Sequence, residues 1–305
     1  MKKYICIRFV ESLAAILVIT MMVFALTHMS GSPVDALLPQ DATQEQIDAL
    51  VRAWGLDQPL AVQYVTFLQN ALVGDFGESL KWRGFSAMGV VLDRFPQTLF
   101  LGGVAVALSV VVAIPLGVMA AMKKDGPVDK GAQLFSLFGQ SVPQFWFAIL
   151  LIWFFAVALQ LLPTSGSGSW KHVILPAIAM AWFQIAALSR LTRSAMLEVL
   201  DEEYIKLARV KGVSERRVVW VHALRNAAVV PLTYFGVLAG SVLTGSVTIE
   251  TVFSWPGLGW VAIEAIRARD FPVVQAVVVV FAVIYIVSNF LVDILNAYID
   301  PRVRT

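Results

Sequence analysis

The chain has 305 residues, of which 58% are hydrophobic and only 14% are charged, and its mean hydropathy is +0.76. This composition excludes an ordinary soluble domain and is typical of a protein that crosses a membrane several times. The formal net charge is only +2, and the Lys and Arg residues are spread over several short segments, so no nucleic-acid partner is implied.

Apolar runs long enough to cross a bilayer as helices recur along the chain. They predict six spans, over residues 9–29, 96–122, 132–162, 174–188, 229–249 and 272–297. The fourth run is the shortest, although its helix can begin at Lys171, and a five-span arrangement would place the termini on opposite sides. With six spans, sixteen of the 23 Lys and Arg residues fall on one side. This asymmetry favours six spans, both termini in the cytoplasm, and residues 298–305 as a cytoplasmic tail.

Residues 30–95, between the first two spans, are too long and too patterned for a connecting turn, so they predict an extracytoplasmic helical insertion. Thr43 and Gln46 can form a capping box, and Gly55 stands where this first helix should end. A second helix begins at Pro59 and runs toward Gly74. The predicted apolar stripes are Ile47, Leu50, Val51 and Trp54 on the first helix, and Leu60, Tyr64, Leu68 and Leu72 on the second. We expect the stripes to pack on each other and on the membrane surface, leaving polar faces free for a partner.

Residues 201–227 place dense charge between two apolar runs. The acidic residues stand where a helix would begin and the basic residues where it would end, which complements the helix dipole. Those residues are Asp201, Glu202 and Glu203, then Lys206, Arg209 and Lys211. Gly212 can stop this helix, Ser214 can cap a second one, and Glu202 and Lys206 are spaced for an ion pair. The pattern predicts a helix, a glycine turn and a helix, while an ordinary charged connector remains the simpler alternative.

Each helix of this predicted hairpin has an apolar side that could rest on the spans. These sides are Tyr204, Ile205 and Ala208, then Val218, Trp220 and Val221. Inside the spans, Asp293 is an exception to a nearly charge-free interior, and we predict a structural bond to a neighbouring helix. Four glutamines could line a polar path or bond between helices: Gln140, Gln144, Gln184 and Gln275.

The charged segment closely resembles the cytoplasmic coupling loop, or EAA region, of ABC-importer permeases in the dipeptide, oligopeptide and nickel branch. The matching positions are Glu203, Tyr204, Ile205, Lys206, Ala208, Arg209, Lys211 and Gly212, followed by His222, Leu224, Arg225, Asn226 and Ala227. Leu207 and Val210 depart from the usual Thr and Ala, and both are bulkier. By resemblance, residues 198–228 form the loop that couples to an ATPase.

Further motifs of this family follow in the expected order and spacing along nearly the whole chain. "GLDQPLAVQY" supplies Gly55, Asp57 and Pro59, and "GDFGESL" supplies Gly74, Asp75, Phe76 and Gly77; "VFSWPGLG" supplies Trp255, Pro256, Gly257 and Gly259, and "RDFPVVQ" supplies Arg269, Asp270 and Pro272. "ILPA" at the fourth span and the tail "VDILNAYIDPRVR" also fit. The resemblance implies that all of these outer motifs belong to one permease domain, residues 1–305, with its transmembrane core at 96–297.

The resemblance implies an all-α membrane fold and an inner-membrane location in a bacterium. Its implied partners are a second homologous permease, two cytoplasmic ATPase subunits, an extracytoplasmic solute-binding protein and lipid. The chain has no G-x-x-x-x-G-K-[ST] loop for ATP phosphates, so ATP and Mg²⁺ are expected in the ATPase partners and no cofactor in this chain. Three scattered histidines predict no metal centre, no catalytic residues are assigned, and substrate-binding residues are left unassigned.

The predicted function is ATP-driven import of di- and oligopeptides, with the permease as a non-enzymatic transport subunit. The segment "LLPTSGSGSWKHVILPA" leans toward nickel and metal-chelate members, so import of nickel or a metallophore is the alternative. An ion-coupled secondary transporter is a more distant one.

Overall fold

The computed structural model describes residues 2–29, 43–53 and 55–299, and this part of the chain is built from helices. In chain order the helices are α1 (Lys2–Met29), α2 (Gln44–Ala53), α3 (Leu60–Leu72), α4 (Ala87–Met122), α5 (Pro127–Ser141), α6 (Gln144–Leu151), α7 (Lys171–Leu200), α8 (Glu203–Val210), α9 (Glu215–Arg217), α10 (Leu224–Ala227), α11 (Val229–Val252), α12 (Leu258–Arg267) and α13 (Phe271–Ile299). A π-helical segment, Ile152–Ala158, extends α6, and a second one, Val218–Ala223, joins α9 to α10. The chain divides into two compact units, one of Met1–Thr98 with Pro256–Thr305 and the other of Leu99–Trp255.

Within the described residues, four helices are long and apolar enough to cross a membrane. They are Tyr4–Met29 in α1, Ala87–Met122, Lys171–Leu200 and Phe271–Ile294 in α13, and they cover the first, second, fourth and sixth predicted spans. The fourth does begin at Lys171, but it ends at Leu200 rather than near residue 188. At 30 residues it is about 45 Å long, so it extends past the hydrocarbon layer with Arg190 and Arg193 still helical.

The third predicted span, residues 132–162, is not one straight helix. It consists of α5 and the combined α6 and π-helical segment, which meet at an angle of 108°. Val142 is extended (φ −84°, ψ 124°) because the ring of Pro143 disfavours helix in the residue before it. Pro143 also lacks the N–H that a continuous helix would use. If this bent pair is one span, the described part holds five.

Helix α11 covers the predicted fifth span over 24 residues. The side chains at 235–245, in its middle, lie outside the described part of the structure. The six-span count and the side on which each terminus lies therefore stay predictions.

The unit of Met1–Thr98 and Pro256–Thr305 is organised by α1 packed along α13. Arg8 Nε lies 3.4 Å from Asp293 Oδ2, which confirms the predicted structural bond of this in-span carboxylate to a neighbouring helix. Nearer the other end of α1, Gln275 Nε2 donates to Thr27 Oγ1 at 3.0 Å. In the second unit, Gln144 Nε2 likewise reaches two carbonyls of α7, Ala179 O and Met180 O, both at 3.3 Å. These two glutamines therefore bond between helices, one of the two roles predicted for them.

The insertion contains both predicted helices. Gln46 Oε1 accepts from the backbone N–H of Thr43 at 3.0 Å, which is the glutamine half of the predicted capping box. Gly55 ends this first helix in a left-handed conformation (φ 64°), as predicted. Of the stripe predicted on α2, Trp54 and the side chains of Ile47 and Leu50 lie outside the described residues.

In the stripe predicted on α3, Tyr64 and Leu68 in the middle are half-buried against the described residues. Leu60 and Leu72 are exposed, whereas the face that packs carries Tyr64 and Phe67. The rings of both lie within 6 Å of the ring of Phe24 in α1, at 5.4 and 5.9 Å. Aromatic rings bury more area than leucine, so they set the face that meets α1.

Candidate functional site

The charged hairpin predicted at residues 201–227 is present. Helix α8 begins at Glu203 and ends at Val210, and Gly212 follows in the left-handed conformation (φ 77°). Two backbone hydrogen bonds close this end: Gly212 N donates to Arg209 O at 2.9 Å and Val213 N donates to Ala208 O at 3.2 Å. This is the Schellman arrangement, in which the left-handed residue reverses the chain and satisfies the last carbonyls of the helix. The glycine turn is therefore confirmed.

Arg209 and Glu215 form an ion pair across this turn. Arg209 Nη2 donates to Glu215 Oε1 at 2.8 Å and Arg209 Nε donates to Glu215 Oε2 at 3.1 Å. The hydrogen bonds from Arg209 hold the pKa of Glu215 below its usual 4.5. A carboxylate with a lowered folded pKa stabilises the hairpin at neutral pH, and that contribution is lost only when the pH falls through the lowered value. Both side chains are substantially exposed, so the pair fixes geometry more than it adds stability.

Two details of the predicted hairpin differ in the structure. Lys206 Nζ bonds Glu203 Oε1 at 2.8 Å instead of pairing with Glu202, because Glu202 is the extended N-cap residue and lies outside the helical spacing. Ser214 does precede α9, but its side chain makes no capping hydrogen bond with the described residues. Its carbonyl accepts instead, from Arg217 N at 2.9 Å and Val218 N at 3.0 Å.

The underside of the hairpin is buried against the ends of α4 and α7. Ile205 and Val218 are fully buried, and Val219 is nearly so. They form one apolar cluster with Val118, Ala121, Ala195 and Met196, and with Ala223 and Ala227. Trp220 and Val221, which the sequence placed on this side, are 43% and 51% exposed. The π-helical segment Val218–Ala223 rotates the register, so Val219 takes the place predicted for them.

The two halves of the family motif meet in space. Asn226 Nδ2 donates to the hydroxyl of Tyr204 at 2.7 Å and to the carbonyl of His222 at 3.0 Å. Ala208 and Leu224 pack at the edge of the apolar cluster. The matched residues on the open surface are Glu203, Tyr204, Lys206, Arg209, Lys211, Gly212, Arg225 and Asn226. Leu207 and Val210, the two departures from the motif, are exposed at 53% and 85%, so their extra bulk points away from the chain's own core.

The outer motifs shape loops, and five of the residues singled out in them also line an open cavity of about 930 Å³ in the first unit: Gly55, Asp75, Phe76, Gly77 and Pro272. Gly74 and Gly77 have φ of 77° and 85°, and Asp75 Oδ1 accepts from the N–H of Gly77 at 3.0 Å. Phe76 between them is buried in the apolar cluster of the first unit. Farther upstream, Pro59 is the N-cap of α3 and Asp57 is exposed in the turn after Gly55.

The motif "RDFPVVQ" begins α13. Asp270 is fully buried, and its Oδ1 accepts from Val273 N at 3.3 Å as a helix cap. Its Oδ2 accepts from Ser79 Oγ and from Lys81 N, the latter at 3.0 Å. Asp270 thus fastens the end of the insertion to the start of α13. Arg269 before it is exposed with φ 54°, and Pro272 lies in the first turn of the helix.

Within the motif "VFSWPGLG" the second unit ends at Trp255 and the first unit resumes at Pro256. Trp255 is buried in the core of the second unit and stacks on Phe100, with ring centroids 6.5 Å apart. In the first unit, Pro256 is half-buried, Gly257 is the extended N-cap of α12 and Gly259 is buried in its first turn. Leu258 N at this helix start donates to Thr98 Oγ1 at 2.8 Å.

Several residues that organise these sites were not singled out by the sequence. Glu215, Ser79 and the buried pair Asp129 and Arg193 each bond a partner on another element. For Glu215 the signal was available, since it is an acidic residue just after a predicted turn that follows a basic helix end. For Asp129 and Arg193 the sequence carried no local signal, because they lie in two different charged segments, each beside a predicted span.

Comparison with known proteins gives the family. The family described as "Binding-protein-dependent transport system inner membrane component" matches residues 113–305, and its N-terminal part matches residues 1–102. The oligopeptide transport system permease protein AppB of Bacillus subtilis (strain 168) is 36% identical over 315 residues, with 100% of both chains covered. The di/tripeptide transport system permease protein DppB of Pseudomonas aeruginosa (strain UCBPP-PA14) is 39% identical, with 94% of each covered. The glutathione transport system permease protein GsiC of Escherichia coli (strain K12) is 36% identical, covering 100% of this chain and 99% of the relative.

The matched regions include the charged hairpin and all of the outer motifs. They cover nearly the entire chain, and the relatives match it from end to end. The chain therefore belongs to the family of binding-protein-dependent transport system inner membrane components.

Proposed function

We propose that this chain is the permease subunit of an ATP-driven ABC importer that carries di- and oligopeptides across the bacterial inner membrane. The observation that carries this proposal is the full-length similarity, at 36 to 39% identity, to proteins named as oligopeptide, di/tripeptide and dipeptide permeases. The glutathione permease relative supports the same substrate class, because glutathione is a peptide. These names favour peptides over the nickel or metal-chelate alternative.

In the proposed mechanism, the hairpin of α8 and α9 couples ATP hydrolysis to transport. It is compact, fixed underneath by the apolar cluster, and closed by the Arg209–Glu215 pair. On its open surface lie the cations Lys211, Arg216 and Arg217. In our proposal this cytoplasmic surface docks on a separate ATPase, whose closure pushes the hairpin and switches the transport pathway. A second permease completes the pathway, and a solute-binding protein delivers the peptide from outside.

We expect the purified chain to hydrolyse no ATP, because its sequence contains no phosphate-binding loop. Hydrolysis and uptake of radiolabelled di- and tripeptides should appear only when the chain is reconstituted in vesicles with its ATPase, second permease and binding-protein partners. Release of phosphate from ATP is measured for the chain alone and for the complex. Steady turnover by the rigorously purified chain would contradict the proposal, and uptake driven by an ion gradient without ATPase subunits would favour a secondary carrier.

The exposed acidic face of α2 is the proposed docking surface for the binding protein. Glu45 and Asp48 are exposed on it, while Asp41, which the sequence adds to this acidic group, lies outside the described residues. Reversal of both Glu45 and Asp48 to Lys should weaken the binding protein's affinity by roughly threefold to tenfold at low salt, because rim charges act through the association rate. The measurement is binding-protein affinity for the reconstituted complex at two ionic strengths.

The matched control is Asp93→Lys, which reverses a 70% exposed carboxylate on α4. It should leave affinity unchanged. Equal affinity for the α2 variant and the wild type would remove α2 from the interface.

A further inference from the structure

Helices α5 and α7 pack antiparallel in the second unit, with three levels of contact along their length. At one end Asp129 bonds Arg193, in the middle Ser136 Oγ lies 3.2 Å from Ser189 Oγ, and farther on Gly139 faces Ala186. A Cβ on Gly139 would overlap the Cβ of Ala186, so the helices touch here almost backbone to backbone. Ten residues separate Asp129 from Gly139, so the contact is about 15 Å long.

The ion pair of Asp129 and Arg193 has the most specific geometry of the three contacts. Asp129 is fully buried, and the Arg193 side chain is 19% exposed. The guanidinium binds the carboxylate with two N–H groups, Nε to Oδ1 and Nη2 to Oδ2, the latter at 2.7 Å. Asp129 Oδ2 also accepts from the N–H of Asp125 at 2.9 Å, in the turn before α5. One carboxylate thus ties α7, α5 and that turn together.

Stability alone does not account for a charge pair at this position. Removing two charges from water costs most of what their attraction returns, and well-packed apolar residues often do as well or better. A forked, bidentate pair instead allows only one relative position of its partners. The remaining contact includes the small residues Ser136, Ser189, Gly139 and Ala186 and one aromatic pair, Phe135 on Trp182, whose ring centroids lie 4.8 Å apart. Small residues and a ring contact constrain direction less than a forked ion pair does, so the pair contributes most to the register of α5 on α7.

The register matters because of what lies at the two ends. Helix α7 ends at Leu200 and α8 begins at Glu203, and Ala195 and Met196 in the last turns of α7 belong to the apolar cluster under the hairpin. A displacement of the hairpin is therefore passed to this part of α7. Helix α5 leads away from the pair to the 108° bend at Val142 and Pro143.

We propose that Asp129 and Arg193 are positioning residues that lock α5 to α7, so that movement of the coupling hairpin is transmitted to the bend of the broken span. The proposal rests on the function proposed above, in which closure of the ATPase pushes the hairpin. Without the Asp129–Arg193 pair, the hairpin still moves with α7, but α5 and the bend are no longer displaced together with it. ATP is then hydrolysed with less substrate transported.

The test separates register from stability with the variant Asp129→Leu/Arg193→Met, made in the whole complex. We expect it to assemble and to hydrolyse ATP, while the amount of radiolabelled di- and tripeptide imported per ATP falls by roughly fivefold or more. The matched control is Arg8→Met/Asp293→Leu, which removes a half-exposed ion pair between α1 and α13. This control should keep a normal ratio of transport to hydrolysis.

A rescue experiment checks the register directly. In a Cys6→Ser background, Ser136→Cys and Ser189→Cys are added to the apolar variant, because the two serine oxygens are 3.2 Å apart and a disulfide there would fix α5 on α7. Oxidation should restore coupled import, and reduction should abolish it again. Normal coupling in the apolar variant, or no recovery once the disulfide has formed, would overturn the proposal.

If the apolar variant does not assemble, Arg193→Lys, which keeps the charge but loses the fork, carries the test, and normal coupling in that variant refutes the register role. If the wild-type complex shows no ATP-driven import, the proposed function itself fails, independently of the role proposed for Asp129 and Arg193.

Discussion

Replacement of Gly212 by valine should abolish most ATP-driven import while leaving membrane insertion unchanged. Gly212 holds φ at 77°, and a Cβ placed on it would meet no described atom within 4 Å. The cost of a side chain is therefore conformational and not steric. A left-handed residue other than glycine costs roughly 1–2 kcal/mol, and a β-branched residue more, which corresponds to a fall of about fivefold to thirtyfold in the equilibrium constant between the native turn and its alternatives. The measurement is import and stimulated ATP hydrolysis by the reconstituted complex.

Gly212→Asn is the matched control, because asparagine tolerates the left-handed conformation better than any β-branched residue. It should retain much of the import that valine loses. If correctly inserted Gly212→Val imports at the wild-type rate, the hairpin is only a charged connector. Reversal of Arg209 to Glu would be a poor probe of the proposed ATPase contact, since it would set two carboxylates against each other across the turn at Glu215.

Locally encoded features were predicted from the sequence. The Gly212 turn, the α3 start at Pro59 and the Gly55 helix end each depend on a few neighbouring residues, and the structure has all three. The start of α7 at Lys171 was also anticipated, because a continuous apolar pattern determines it. The role of the hairpin as a coupling element stays a prediction.

Features that depend on residues distant in sequence were not predicted. Asp129 and Arg193 are 64 positions apart, and Ser79 and Asp270 are 191 apart, so no periodicity within either segment relates them. The direction of the 108° bend was not predicted, because a proline shows where a helix stops but not the direction that the next one takes. Trp220 and Val221 were assigned to the buried side because an α-helical period was assumed where the chain makes a π-helical segment.

Replacement of Asp270 by alanine should loosen the outer loop that the insertion makes before α4. The carboxylate accepts from Ser79 Oγ, Lys81 N and Val273 N, and all of these would lose a partner at a buried site. Each donor left unsatisfied costs about 1–3 kcal/mol, and the loss of the α13 cap adds about 1 kcal/mol. Local opening of residues 79–83 should therefore become roughly tenfold or more frequent. Trypsin can report it, because Lys81 and Arg83 are both exposed cleavage sites in this loop.

The measurement is the rate of tryptic cleavage at Lys81 and Arg83 in reconstituted vesicles, with the intact chain quantified over time. Glu78→Ala is the control, since it removes an exposed carboxylate from the same loop without touching the Asp270 bonds. It should be cleaved at the wild-type rate. Ser79→Ala removes only one of the three donors and should lie between the two, because Lys81 N and Val273 N keep their acceptor. Equal cleavage of Asp270→Ala and wild type would mean that the Lys81–Glu264 ion pair and the packing of Phe76 hold the loop without Asp270.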